Sequence, residues 1–399
     1  MKLSNIVSNG FCLGCGACEG VLGHSKIHMD LSQDGYLRPH NMSVLDSKDD
    51  YLINAICPGI RIENKVAEGN IHPIWGPILK IRTGYAFDEE VRRFGSSGGV
   101  ISALAIYLIE TKKVDFVAQI SVSTTNPLVN EVQQSRTRTD VLSAAGSRYA
   151  PAAPLTRLME FLETGQRFAV IGKPCDIAAV RNLSKIDKRI QSQIPYLLSF
   201  MCAGVPSMTG TYEVLKAMDV DRSKLISFRY RGDGWPGNAR AEIDDGSVKE
   251  MDYATSWGNI LNQHLQFRCK ICPDGTGELA DIVCADAWYG KDGYPDFNEH
   301  EGRSLVITRT AIGEELVSQI IKRGAIVVND LHVNEIDKMQ PYQRKRKQMV
   351  LGRLFATILR RGYGPRYKGM GLLKATLLAD PVEWLRSAWG TFKRATGEY

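Results

Sequence analysis

Two groups of cysteines carry the chemistry open to this sequence. The first is Cys12-x2-Cys15-x2-Cys18, with a fourth cysteine placed before proline at Cys57-Pro58. Three thiolates from one tight loop plus a Cys-Pro form the ligand pattern of a bacterial ferredoxin-type iron–sulfur site. Structural zinc usually pairs two separated knuckles instead, so iron–sulfur is the better reading of this loop. Gly14 and Gly16 free the backbone to wrap a cluster and to aim N–H groups at its sulfurs. His24 and His28 lie close by. Four cysteines already complete a site, so both read as surface histidines.

The second group is dispersed. Arg268-Cys269-Lys270-Ile271-Cys272-Pro273 is a Cys-x-x-Cys-Pro turn, and its two thiolates need two more ligands. Cys175 and Cys202 are available, each just beyond an apolar, strand-like run (167–171 and 196–201). The expected centre is therefore Cys175, Cys202, Cys269 and Cys272. Zinc could occupy such a tetrathiolate. Prolines beside Cys175 and Cys272, and a ferredoxin-like loop in the same chain, favour iron–sulfur, because electron carriers work in series. Cys284 is left over and reads as a small buried apolar residue.

The elements that must position these ligands alternate between strand and helix patterns, which predicts a mixed α/β fold. Four segments are expected: a ferredoxin-like part over 1–75, the two halves of a mixed α/β core over 76–165 and 166–335, and a basic tail over 336–399. A short hairpin is expected around Asp34-Gly35. Gly95-Ser96-Ser97-Gly98-Gly99 opens an apolar helix, and free N–H groups at such a start can receive a phosphate. Tight packing of a glycine-rich helix start is the competing explanation. The loop 228–237, rich in arginine and aromatics, could clamp a planar ring or simply connect two strands.

Composition narrows the class. The chain has 399 residues, 44% hydrophobic and 24% charged, which suits a soluble protein of two or three domains. No apolar run is long enough to span a membrane, and the N-terminus lacks a secretory apolar region, so a cytoplasmic location is expected. Nine cysteines then point to metal or redox chemistry rather than to disulfides. The net charge of +6 is mild, but residues 343–374 hold ten Lys or Arg and no acid. A solvated face over a packed helix explains such a run; docking to an acidic partner or a membrane surface is the sharper alternative. Nothing suggests nucleic-acid binding.

As a set, Cys12-x2-Cys15-x2-Cys18, Gly95 to Gly99, Gly172-Lys173-Pro174-Cys175, Cys269-x2-Cys272 and Glu278-Leu279-Ala280-Asp281-Ile282 running on to Asp286 resemble one family. It is the beta-subunit family of coenzyme F420-reducing hydrogenases and dehydrogenases, which includes 7-hydroxymethyl chlorophyll a reductase-like proteins. The resemblance runs from about Cys12 to about Val328. It implies two 4Fe-4S clusters and FAD, with hydride exchange between the flavin and coenzyme F420 or another conjugated organic substrate. It places Gly95, Ser96, Ser97, Gly98, Gly99, Arg148, Tyr149, Lys173 and Asp286 near the flavin. It also implies a redox partner such as a ferredoxin or a hydrogenase or dehydrogenase subunit. Ala285 departs from the glycine expected before Asp286. A non-enzymatic electron-transfer subunit and a zinc-stabilised binding protein are the rival readings.

Overall fold

The computed structural model describes residues 1–65, 70–291 and 294–395. Residues 66–69 and 396–399, inside the expected first and last segments, lie outside the described residues, as do 292 and 293. The core is one eight-stranded sheet. Its strands are β1 (Lys80–Ala86), β2 (Phe116–Val122), β3 (Asn130–Ser135), β4 (Phe168–Gly172), β5 (Tyr196–Phe200), β6 (Ile282–Asp286), β7 (Ser304–Thr308) and β8 (Ile326–Asp330). They lie side by side in the order β8-β1-β7-β6-β5-β4-β2-β3. The four strands β6, β5, β4 and β2 are mutually parallel. Antiparallel pairings close both flanks: β6 with β7, β7 with β1 and β1 with β8 on one side, and β2 with β3 on the other. The mixed α/β class expected from the strand and helix patterns is the architecture found.

Why the central strands are apolar throughout follows from their two covered faces. Phe116, Ala118, Phe168, Val170, Leu197 and Val283 pack with Ile177 and Val180 of the helix Pro174–Leu183. The alternate residues Val117, Ala169, Leu198 and Ile282 pack with Leu104 and Leu108 of Val100–Glu110, and with Leu316 and Ile320 of Ala311–Lys322. Cys284 belongs to this second layer, as a small buried residue, and burial pushes its thiol up to about 12. β3 escapes sequence reading because Asn130–Ser135 is polar, and it is an edge strand that needs only backbone pairing.

Around Asp34-Gly35 the expected hairpin forms, Ile27–Leu31 against Leu37–Asn41. The helix Ser47–Ile56 follows, capped reciprocally by Asp46 and Asp49, and ends where Cys57 begins. Phe11, Cys12, Ile27 and Ile53 pack against Phe267 and Ile271, so the N-terminal segment leans on the Cys269 turn. At the other end, the basic run forms a helix, Pro341–Arg361, which packs against Pro381–Arg394. No helix among the described residues is long and apolar enough to cross a membrane.

Candidate functional site

Parallel strands share a direction, so their C-terminal ends share an edge, and open α/β sheets bind ligands along that edge. Here it gathers segments far apart in sequence. Lys173 and Cys175 follow β4, Cys202 follows β5, and Asp286 ends β6. β1 runs the same way as β6, and Gly98 meets its end: the Ala86 N–H donates to the Gly98 carbonyl at 2.7 Å. A Cβ on Gly98 would lie 2.6 Å from the Ser304 nitrogen and 2.7 Å from the Gly84 oxygen, so only glycine lets this loop reach the sheet.

The first quartet is complete in one place. Cys12, Cys15, Cys18 and Cys57 all line a single cavity, with Leu13, Met29, Ile56 and Pro58. Gly14 and Gly16 take φ of +70° and +78°, the left-handed conformations that allow the wrap. The Gly14 N–H donates to Cys12 Sγ at 3.4 Å.

Cys175 lies just beyond its strand, as expected: β4 stops at Gly172 and Cys175 falls in the first turn of the next helix. Cys269 falls in the short helix Phe267–Lys270. Cys175 and Cys269 are buried together with Leu13 of the first loop. Burial first, then Cys269, pushes the Cys202 thiol up to about 12, and burial followed by Cys12 pushes Cys57 up to about 11. Cys175 is raised chiefly by burial, with Asp176, Cys202 and Cys15 adding to it. The packing of Leu13 on Cys175 and Cys269, and of Cys12 with Phe267 and Ile271, makes the two quartets neighbours.

These donor sets can be tested against what they are expected to hold. A zinc tetrathiolate, with Zn–S near 2.3 Å, would draw its sulfurs to about 3.8 Å of one another. Among the described residues, only Glu19, His24 and His28 gather three such ligand atoms within 4.8 Å. No three sulfurs of either quartet come that close together, a wider spacing than a zinc tetrathiolate takes. Arg268 adds a second observation. It is fully buried, its Nε and Nη2 donate to the Gly59 and Pro58 carbonyls at 2.8 and 2.9 Å, and its Nη1 has no partner. Burial opposes its charge, but Tyr367, Cys272, Cys269 and Cys175 more than offset that. A buried guanidinium with an unused donor among thiolates fits anionic clusters on both sides.

The flavin candidates divide. Ser97 Oγ donates to the Ala285 and Arg303 carbonyls, and Ser96 pairs with Ser147 at 2.6 Å. Gly99 caps the helix Val100–Glu110 with no side chain on its first N–H groups. Arg148 is turned into the scaffold: it donates to Asn130 Oδ1 and to the carbonyls of Phe228 and Pro127. Lys173 Nζ lies 2.9 Å from the buried Asp176 carboxylate. Asp286 accepts both ends of the Arg231 guanidinium at 2.9 Å and the Trp235 indole N–H at 2.7 Å. Burial alone would pull Arg231 down; Asp286 holds it above its ordinary range. Trp235 stacks on Trp288 at 4.9 Å, and Tyr149 lies 4.6 Å from Trp257. Arg231 and Trp235 belong to the loop 228–237, whose aromatic and arginine content is the one sequence signal that marks them.

The tail differs from a solvated face. Arg346 donates to the Cys202 and Cys269 carbonyls at 2.9 and 3.0 Å, and Arg353 to the Lys270 carbonyl at 3.0 Å. Lys347 is buried, pairing with Glu278 and donating to the Pro273 carbonyl at 2.9 Å. Sequence reasoning misses these roles because charge runs read as exposed. Beyond them Leu373, Leu377, Leu385 and Trp389 are exposed.

The family models for the beta subunit of coenzyme F420 hydrogenase/dehydrogenase match in two parts, the N-terminal one over residues 81–160 and the C-terminal one over 165–334. The chain belongs to this beta-subunit family. Within it, the coenzyme F420 hydrogenase subunit beta of Methanococcus voltae is 26% identical over 64% of this chain and 84% of its own. The coenzyme F420-dependent sulfite reductase of Methanocaldococcus jannaschii is 25% identical over 86% of this chain. The chain spans about half the length of that enzyme, 51%. A chain of the F420-reducing [NiFe] hydrogenase complex from Methanosarcina barkeri shares the fold, with a TM-score of 0.56 at 19% identity, over 76% of this chain and 98% of that one.

Proposed function

We propose that this chain is an iron–sulfur flavoprotein oxidoreductase that passes electrons between a redox partner and a coenzyme F420-like or other conjugated organic substrate. Cys12, Cys15, Cys18 and Cys57 would hold one 4Fe-4S cluster, and Cys175, Cys202, Cys269 and Cys272 the other. Gly95 to Gly99, Tyr149, Lys173 and Asp286 would hold FAD along the C-terminal strand edge, with Arg148 fixing the loop that carries Tyr149. When bound, the clusters supply one-electron transfer and the flavin two-electron hydride exchange. The residues' own work is positioning. Asp176 keeps Lys173 extended and charged at the start of its helix. Arg231 and Trp235 orient the Asp286 carboxylate. Arg268 supplies positive charge between the quartets.

One observation supports this reading: Leu13 of the first loop is buried against Cys175 and Cys269, so the two groups of cysteines adjoin beside the strand edge that bears the flavin candidates. The family's relatives, named for coenzyme F420 chemistry, support the substrate class. Anaerobic purification should yield about eight iron with matching sulfide and about one FAD per chain, and the protein should oxidise the reduced deazaflavin with an artificial acceptor. Zinc in the second quartet, half the iron and no flavin would sink the proposal. The exposed Leu385 and Trp389 side chains on the C-terminal helix favour a second reading, a subunit that only hands electrons to a partner. Clusters and flavin without any deazaflavin oxidation by the isolated chain would select it.

A further inference from the structure

We propose that Glu19, His24 and His28 form a divalent transition-metal site of the zinc class, separate from both cysteine quartets. Glu19 sits in the helix Ala17–Leu22 directly after Cys18, His28 in the strand Ile27–Leu31, and His24 in the turn between them. The chain reversal brings three ligand atoms to one point. His24 Nδ1 lies 2.9 Å from Glu19 Oε1, His28 Nδ1 lies 3.5 Å from the same oxygen, and the two ring nitrogens are 3.0 Å apart.

Two imidazoles and a carboxylate suit zinc and its neighbours, which prefer nitrogen ligands to all-oxygen sites. Proton counting favours a cation over hydrogen bonds alone. His28 Nε2 lies 3.2 Å from Asp30 Oδ1, the placement in which a metal-bound histidine donates its far N–H to a carboxylate. With its proton there, His28 Nδ1 presents a lone pair to the Glu19 oxygen. A single proton on His24 Nδ1 can serve one of its neighbours fully; a metal ion accepts a lone pair from all three.

Charge points the same way. Glu19 is 8% exposed, and no lysine or arginine pairs with it among the described residues. The nearby Lys26 is committed to Asp49, at 2.7 Å. The other Glu19 oxygen is fixed by the Met29 N–H at 2.7 Å, which aims Oε1 at the histidines. The His24 side chain is 67% exposed, so water can complete the coordination shell. An ion here would staple the helix carrying Cys18 to the hairpin strand behind it.

The test uses the anaerobic full-length protein as purified, incubated with zinc chloride and desalted, with zinc and iron measured together. Wild type should retain about one zinc more per chain than the His24→Ala/His28→Ala double variant, at equal iron. Both proteins keep every cysteine, so zinc taken up by thiols cancels in the difference. Calorimetric titration with zinc should weaken about 10–100-fold in Asp30→Asn, which touches no ligand atom other than through His28. Should the double variant lose its iron, His24→Ala alone, at an exposed position, must still weaken zinc binding at least tenfold. Equal zinc retention in wild type and variants, or none in either, overturns the proposal.

Discussion

Cys12, Cys15 and Cys18 reach their cavity from one loop whose two glycines take positive φ, and Cys57 joins them at the end of a capped helix. Cys175, Cys202, Cys269 and Cys272 instead arrive from segments beyond two strands and from a distant turn, and a C-terminal helix holds the Cys202 and Cys269 carbonyls through Arg346 and the adjoining Pro273 and Lys270 carbonyls through Lys347 and Arg353. The first quartet is built from local backbone geometry, the second from tertiary contacts. The difference implies that the two should fail independently, the second being vulnerable to changes far from any cysteine.

The largest effect expected is Cys272→Ser. It should cut iron from about eight to about four per chain and abolish deazaflavin oxidation, while the first quartet keeps its cluster. Metal analysis and turnover assays read both; loss of all iron would show that the quartets form one cooperative unit. Next is Lys347→Met, which strands the buried Glu278 carboxylate and should cost about 3–5 kcal/mol, seen as a lowered midpoint of urea unfolding. The neighbouring exposed pair Lys345–Glu383 is the control, and Lys345→Met should cost less than about 1 kcal/mol. Similar losses from both would mean the helix supports the Cys269 turn only by apolar packing.

Arg346→Ala should be milder. It removes two charged hydrogen bonds, worth about 1.5–3 kcal/mol each at most, and should speed iron loss to a chelator from the second quartet alone. Equal loss from both quartets would erase the contrast. The smallest effect concerns the first quartet's support. The Lys26 ammonium, hydrogen-bonded to Asp49, holds that carboxyl below its ordinary range. Because the folded value is depressed, the stabilisation is full above the ordinary carboxylate pKa and is lost as pH falls through the lowered one. The thermal-unfolding difference between wild type and Asp49→Asn should therefore be present at neutral pH and close in strong acid. A gap that persists there would assign Asp49 to helix capping rather than to its charge.

Much of the core is legible in sequence because its signals are local. Apolar runs mark β4, β5 and β6, the period of Val100–Glu110 marks its helix, and Asp34-Gly35 marks a hairpin. β3 is hidden, since a polar edge strand carries no burial pattern, and the helix Pro341–Arg361 reads as solvated because four consecutive cations, Arg344 to Lys347, stand in its first two turns. The burial of Arg268 is equally invisible, since nothing in a sequence distinguishes a guanidinium facing water from one walled in by a distant turn; Arg231 is marked only by the composition of its loop. His24 and His28 look ordinary by position, and only the fold of the turn brings Glu19 between them.

The chain's own residues determined which ligands exist and, at Cys12 to Cys18, how they are arranged, because short-range backbone geometry suffices there. Tertiary structure alone decided how near one another the segments carrying Cys175, Cys202, Cys269 and Cys272 lie, which charges are buried, and which loops meet at the C-terminal strand edge. Strand pairing joins residues separated by a hundred positions or more, and only the paired sheet sets those distances.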